Sequence, residues 1–404
     1  MNLLINEIDT GAVIPTSQSR KLTIDGITEV FTVYKVRLDL LFYNEQNDRI
    51  ATWISQYKGN NSGSLLNIAD KEAYNSLIEE FIIQSNPEAV LKTQKNIELV
   101  EQREPGVVLA DGRIIDGNRR FTCLRKLSAQ SDKFNYFETI ILDRNIESSA
   151  KQIKMLELSI QHGEEGKVEY NVIDRLVGVY NDIVATGLLS VAEYARSTNE
   201  SEVVVRKRME IAELMVEFLD FINAPKQFHV VRDMQIGAAL EELPALLKKC
   251  KSEDEKEDLK IVTFTNLLVK PAGDVRNFIR KIKSLVSSDY MLEYIEEQKE
   301  IAEKVINLLP AAGEMNEVII RDKIHTNDAI SEELENSMEK ALMKARKIET
   351  RNQPIQLVEK ATTFLETIDL GILKKLNDSE LRRMERQLSL LENTIEEIRS
   401  GLDD

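Results

Sequence analysis

The stretch VVLADGRIIDGNRRFTCLRKL, residues 107–127, holds the side chains best able to do chemistry. Gly117 stands directly before a run in which Phe121, Leu124 and Leu127 share one helical face. That spacing predicts a helix starting at about Asn118. A glycine ahead of a helix lets an anion approach backbone N–H groups that have no partner inside the helix, and the dipole there favours negative charge. Arg119 and Arg120 fall in the first turn, where their planar guanidinium groups match phosphate oxygens in pairs. Residues 111–130 carry five basic and two acidic side chains, a local +3 inside a chain of net charge −16. Two readings stay open from spacing alone: a phosphate-binding turn, or a strand-to-helix turn whose arginines pair with nearby carboxylates.

The elements that must hold this turn can be read around it. Asp25-Gly26 lies between KLTI and ITEVFTVYKV, and Asp111-Gly112 lies between VVLA and RIID. Each pair supplies the positive φ that a type I′ turn needs, so both read as hairpin tips. FETIILD, 137–143, reads as a further strand after the helix. The expectation is a small sheet with helices over about residues 20–145, then mostly helix from about 150. Glycine usage agrees, since eleven of sixteen precede residue 190. The charge-dense, apolar-free run KSEDEKED, 251–258, reads as a linker, and Pro271, Pro310 and Pro354 as breaks. The domains expected are 1–148, 149–250 with a helix-turn-helix at 188–215, 251–376, and a coiled-coil helix at 377–404.

Composition narrows the class. With 404 residues the chain is long for one domain, and 42% hydrophobic residues can supply buried cores. Fifty-three Lys and Arg face sixty-nine Asp and Glu, so any contact with nucleic acid must use a local basic patch. Two cysteines, Cys123 and Cys250, and three histidines exclude a disulfide scaffold and a zinc ribbon, and suit a reducing cytoplasm. No metal site is expected from the chain. MNLLINEIDTGAVIP lacks the basic and apolar segments of a signal peptide, and no apolar run reaches the roughly 20 residues of a membrane span. The expected location is cytoplasmic.

IIDGNRRFTCLRKL resembles the Gly-Glu-Arg-Arg box of the ParB/sulfiredoxin-like superfamily, in an Asp-Gly-Asn-Arg-Arg form. Gly117, Arg119 and Arg120 match it, and Asn118 replaces the glutamate. Upstream, FYNEQNDRI is similar to the family's Asn-Pro-x-x-x-Arg box through Asn44 and Arg49, with Glu45 in place of proline. Downstream, LSIQHGEEGKVEYNVIDRL resembles the Glu-Asn-x-x-Arg box, with Leu158, Ser159 and His162 in place of Glu, Asn and Arg. The resemblance implies an N-terminal α+β domain of that superfamily, followed by mostly α-helical domains. It also implies a nucleoside triphosphate, CTP or ATP, held by Gly117, Asn118, Arg119, Arg120, Arg49, Asn44, Gln161 and His162. Whether Mg²⁺ accompanies it stays open, because a hard cation needs oxygen ligands and leucine offers none. Sulfiredoxin chemistry needs a cysteine where Asn118 stands; Cys123 reads as a small core residue.

LLSVAEYARSTNESEVVVRKRMEIAELM, 188–215, has helix-turn-helix spacing, with Ala195 at the crossing, Asn199 in the turn and Val205 anchoring the second helix. Ser201 is its N-cap, and Arg206, Lys207 and Arg208 are its basic cluster, so these four are the expected DNA contacts. Residues 171–250 nonetheless hold nine basic and twelve acidic groups. At the C-terminus Leu381, Met384, Leu388, Leu391, Ile395, Ile398 and Leu402 alternate spacings of 3 and 4, a heptad seam. It predicts self-association through 378–402, most simply as a dimer, or packing on the chain's own helices. Three functions follow. The first is a ParB-like DNA- and nucleotide-binding protein. The second is an NTP-hydrolysing or nuclease-associated component of DNA modification or phage defence. The third is a nucleotide-sensing protein scaffold.

Overall fold

A computed structural model of the chain describes residues 4–8, 10–24, 27–61, 67–142, 146–163, 171–271 and 273–403, without the side chains at 146–149, 162–163, 347–352 and 403. These residues form two compact units, 1–341 and 342–404. The first opens with two long strands, β1 (Val13–Ile24) and β2 (Ile27–Arg37), paired antiparallel down to Ile24 opposite Ile27. The tip Asp25-Gly26 itself lies outside the described residues. The short strand β3 (Phe42–Tyr43) precedes three helices: α1 (Ala51–Asn60), α2 (Lys71–Ser85) and α3 (Pro87–Val100). β4 (Gly106–Leu109), β5 (Arg113–Asp116), α4 (Asn118–Ser128) and β6 (Tyr136–Leu142) follow. The sheet order is β1-β2-β6-β4-β5-β3, with β4 parallel to β6 and β3 parallel to β5.

Strand periodicity splits the core in two. Val107 and Leu109 of β4 and Ile115 of β5 face the α5 side (Ile146–Gly163), where they meet Ile153, Leu156 and Ile160. Val108 and Ile114 point the other way, into a larger cluster with Phe121, Leu124, Ile78 and Phe81. The Phe121 ring meets Tyr43 and Phe137 edge-on at centroid distances of 4.9 and 6.0 Å, which fixes α4 against the sheet. The β4–β5 loop departs from the expected type I′ turn. Gly112 has φ of +94° but Asp111 does not have positive φ, so the connection is a three-residue loop with a register shift beside it. A side chain at Gly112 would also meet the Leu40 carbonyl at 2.4 Å.

From α5 onward the chain is helical: α6 (Val172–Val179), a π-helical turn (Tyr180–Ala185), α7 (Val191–Thr198) and α8 (Glu202–Phe221). Next come α9 (Phe228–Met234), α10 (Gly237–Leu247), α11 (Glu253–Val269), α12 (Val275–Leu285) and α13 (Met291–Ile306). Then come α14 (Glu317–Ile319), which runs into a second π-helical turn (Ile320–His325), and α15 (Asp328–Glu366). The run 251–258 is no linker. Ser252 caps α11, and Glu253, Asp254 and Glu255 fill its first turn, where the helix dipole favours carboxylates. Pro271 and Pro310 do lie just beyond helix ends, whereas Pro354 sits inside α15.

The second unit contains the end of α15, the short α16 (Leu370–Leu373) and α17 (Asp378–Asp403). Asn377 starts α17: its Oδ1 accepts from the backbone N–H groups of Ser379 and Glu380, and Glu380 reaches back to the Asn377 N–H. The expected helix is there. Leu381, Leu388, Ile395, Ile398 and Leu402 of its seam are exposed, and Met384 and Leu391 are half-buried.

Candidate functional site

Three elements built for other reasons meet at one cleft of about 310 Å³. Its lining includes Asn47 and Arg49 from the turn before α1, Asp116 to Arg120 from the β5–α4 junction, and Gln161 from α5. The junction is decided at Gly117, whose φ of +101° is costly for any residue with a side chain. A Cβ there would also lie 2.7 Å from the Phe137 ring. The first turn of α4 has no side-chain cap, so its N–H groups are left to the cleft. The Asn118 Oδ1 beside them is buried and accepts no hydrogen bond among the described residues.

The two arginines of the first turn differ in employment. Arg120 donates to the Glu104 carbonyl at 2.5 Å and to Asp116 Oδ2 at 3.1 Å, and Arg20 approaches the same carboxylate at 3.5 Å. Arg120 therefore locks the turn, the carboxylate-paired outcome that the sequence left open. Arg119 is half-buried and has neither an ion pair nor a hydrogen bond among the described residues. Burial and the nearby Arg49 both pull its pKa below the usual arginine value, the signature of a cation crowded by another cation. An anion between Arg49 and Arg119 would relieve that repulsion.

Asn44 does not reach the cleft. It is buried, donating through Nδ2 to Glu157 Oε2 at 3.3 Å. Gln161 lines the cleft and donates to Glu157 Oε1 at 3.0 Å. The side chain of His162 lies outside the described residues. Leu158 packs with Val179, Tyr194, Ala195 and Val205, while the polar face of α5 carries Glu157 and Gln161 one turn apart. The 3.6-residue period was the available signal. Glu157 falls one turn after Lys154 and Ile153, and the apolar positions Ile153, Leu156 and Ile160 leave it the neighbouring face.

Behind the cleft lies a buried ion cluster that the sequence did not reveal. Lys154 Nζ sits 2.8 Å from Asp48 Oδ1, 3.5 Å from Asp182 Oδ2 and 3.9 Å from Glu157 Oε2. Burial alone would lower the lysine pKa, but the three carboxylates raise it well above its ordinary value. Burial pushes the Glu157 carboxyl up to about 8 and Asp182 up to about 7, against the pull of Lys154. Asp174, also raised by burial to about 7, accepts from the Thr52 hydroxyl at 2.7 Å. Cys123 is buried, donates to the Val90 carbonyl at 3.5 Å and has its pKa pushed up to about 12 by burial, so it is an inert core thiol.

Residues 191–221 form two helices, α7 and α8, joined by a short turn. Asn199 takes the left-handed conformation at φ 55°, Ser201 accepts from the Val204 N–H at 3.3 Å, and Ala195 and Val205 are buried at the crossing. The basic cluster is less available than its sequence implies. Arg208 is held in two hydrogen bonds by Glu200 at 2.6 and 2.8 Å, and Arg206 pairs with Glu202 at 2.9 Å. Lys207 is exposed and has no ion pair among the described residues.

No family model matches the sequence, and no curated protein does either. Among solved structures, the chain is similar to a ParB-N domain. That structure, described as the C2221 form of a Pnob8-like ParB-N domain, is 14% identical. The match covers 68% of this chain and 98% of that one, at a TM-score of 0.27. Among the described residues no helix is long and apolar enough to cross a membrane, and no group of His, Cys, Asp and Glu could hold a metal ion.

The raised carboxyl pKa values set a pH dependence. Glu157, Asp182 and Asp174 bind protons more tightly folded than unfolded, so their stabilisation is full below their unfolded pKa values and fades as pH rises through 7 to 8. Thermal midpoints should therefore fall between about pH 5 and pH 9, and Glu157→Gln should make that fall shallower. Melting curves across the range read this directly; a variant with the wild-type slope would place the titration elsewhere.

Proposed function

We propose that the chain binds a nucleoside triphosphate in the α4 cleft and DNA through α7 and α8. Arg119 carries the first part. A half-buried guanidinium with no anionic partner among the described residues is costly to keep, and a ligand phosphate between it and Arg49 offsets that cost. The uncapped α4 N-terminus adds N–H donors, and the orphaned Asn118 Oδ1 suits a hydroxyl or amine donor on a nucleoside. The cleft volume is that of a small-ligand site. The roles of the two arginines separate in a test. Arg119→Ala removes a charge-assisted contact of roughly 1.5–3 kcal/mol, so NTP affinity measured by calorimetry should fall about ten- to a hundred-fold. Its melting temperature should stay near wild type. Arg120→Ala should instead melt earlier, having lost Asp116 and the Glu104 carbonyl. Undetectable NTP binding by the wild type would sink the reading.

The DNA part rests on the turn geometry at Asn199 and Ser201 and on the exposed first two turns of α8, which present Glu202, Val203, Arg206 and Lys207. With so few basic groups offered by an acidic domain, binding should weaken steeply as salt rises. Lys207→Ala and Arg206→Ala should each reduce that salt slope, whereas Arg208→Ala should chiefly destabilise the fold. Gel-shift titrations at several salt concentrations check this. Val203 and Val204 are exposed beside these charges and favour the protein-scaffold reading instead; DNA affinity that is absent at every salt concentration would select it.

The exposed seam of α17 supports self-association through 378–402. A lysine at Leu391 would be buried unpaired in any assembly formed there. Light scattering should show an oligomer for the wild type, and a smaller species for Leu391→Lys and for a chain ending before Asn377. A wild-type monomer would remove the proposal.

A further inference from the structure

The acids beside the cleft already have a cation, and it belongs to the chain. The turn Asp48–Ile50 sends Arg49 to the cleft and Asp48 away from it, while α5 sends Gln161 to the cleft and Glu157 behind it. Asp48, Glu157 and Asp182 then converge on the ammonium of Lys154, which is 2% exposed. The same ammonium donates to the Gln46 carbonyl at 3.2 Å. Asp48 has little room to turn elsewhere: a Cβ on Gly178 would meet its carboxylate at 2.7 Å, so the α6 backbone presses directly on it. A magnesium ion demands near-octahedral oxygen ligands at about 2.0–2.1 Å. It could gather these acids only by expelling Lys154. Of the carboxylates that do line the cleft, Asp116 is held by Arg20 and Arg120, and Glu104 is an exposed rim residue. The donor set does not fit the divalent cation that a nucleotide site of this resemblance would call for.

We propose that Lys154 is a built-in cation occupying the position where a divalent metal would collect these acids, so that the cleft takes a phosphate-bearing ligand through its own arginines without a metal. This rests on the phosphate-binding reading of the cleft. It goes beyond that reading by fixing the ionic form of the ligand: the free polyanion, which meets Arg49 and Arg119 with its full charge, rather than its magnesium complex. Lys154 is here a positioning residue. It holds Asp48 and Glu157, and through them the Arg49 turn and Gln161.

The test is calorimetry of the full chain with ATP, CTP and inorganic tripolyphosphate, each in EDTA and in excess Mg²⁺. The expected result is binding in EDTA that equals or exceeds binding in Mg²⁺, since chelation by magnesium lowers the ligand's charge. Binding weaker in EDTA than in Mg²⁺ overturns the inference while leaving the phosphate reading intact. No binding in either buffer overturns both, so the two failures are distinguishable. A second arm uses melting temperature without nucleotide. Mg²⁺ or Mn²⁺ should leave the wild type unmoved and raise the midpoint of Lys154→Ala, whose three acids have lost their cation. A metal-induced rise in the wild type, or none in a folded Lys154→Ala, contradicts the assignment of that position. Should Lys154→Ala fail to fold, the wild-type comparisons decide alone.

Discussion

The contact between Lys154 and Asp48 at 2.8 Å is the constraint on which the arrangement around the cleft depends. A lysine this deeply buried stays charged only because Asp48, Glu157 and Asp182 surround it, and each of those carboxylates comes from a different element. The pre-α1 turn, α5 and the π-helical turn are thereby pinned to one point. Removing one partner of such a cluster leaves an uncompensated charge, a loss of about 3–5 kcal/mol. An extra residue's worth of bend in the π-helical turn is what a chain accepts to bring Asp182 into place, and such bulges concentrate where function needs a side chain re-aimed.

On the cleft side the same frame brings like charges together. Arg119 and Arg49 repel each other, and the α4 N-terminus adds a further positive field. Arg119 has no ion pair or hydrogen bond among the described residues. Arg120, one residue on, shows the contrast. It points back across the turn to Asp116 and becomes structural. One helical position, 100° of rotation, separates a residue that holds the turn from one with no ion pair or hydrogen bond among the described residues.

The helical half follows a different economy. Glu200 and Glu202 hold Arg208 and Arg206, so charge that looks like a nucleic-acid patch in the sequence is partly consumed in ordering α8. Arg208 sits low on the helix, where its bidentate pair with Glu200 ties the turn to α8, and Glu200 has its pKa lowered mainly by that hydrogen bond. Arg206 is exposed, and its pair with Glu202 is the weaker, screened kind that a phosphate can displace.

Much of this molecule was settled by local rules. The start of α4 at Asn118, the hairpin around Asp111-Gly112, β6, the two helices around Asn199 and the helix carrying the C-terminal seam all follow from spacing, capping and positive-φ demand. Those are interactions within about one turn of the chain, and a sequence states them directly. Four points needed the tertiary structure. KSEDEKED is polar enough for a linker, yet a serine cap and a favourable dipole make it a helix start once α11 has a core to pack on. Pro354 is carried within a helix. The polar pair of α5 is Glu157 and Gln161, because burial of Leu158 fixes the rotation of that helix. Above all, Lys154 gives no sign in sequence of having three acids around it, since Asp48 lies 106 residues before it and Asp182 arrives from a turn beyond the next helix. Which charges are paired and which are left open is decided by distances between segments far apart in the chain, and composition and period carry no information about those.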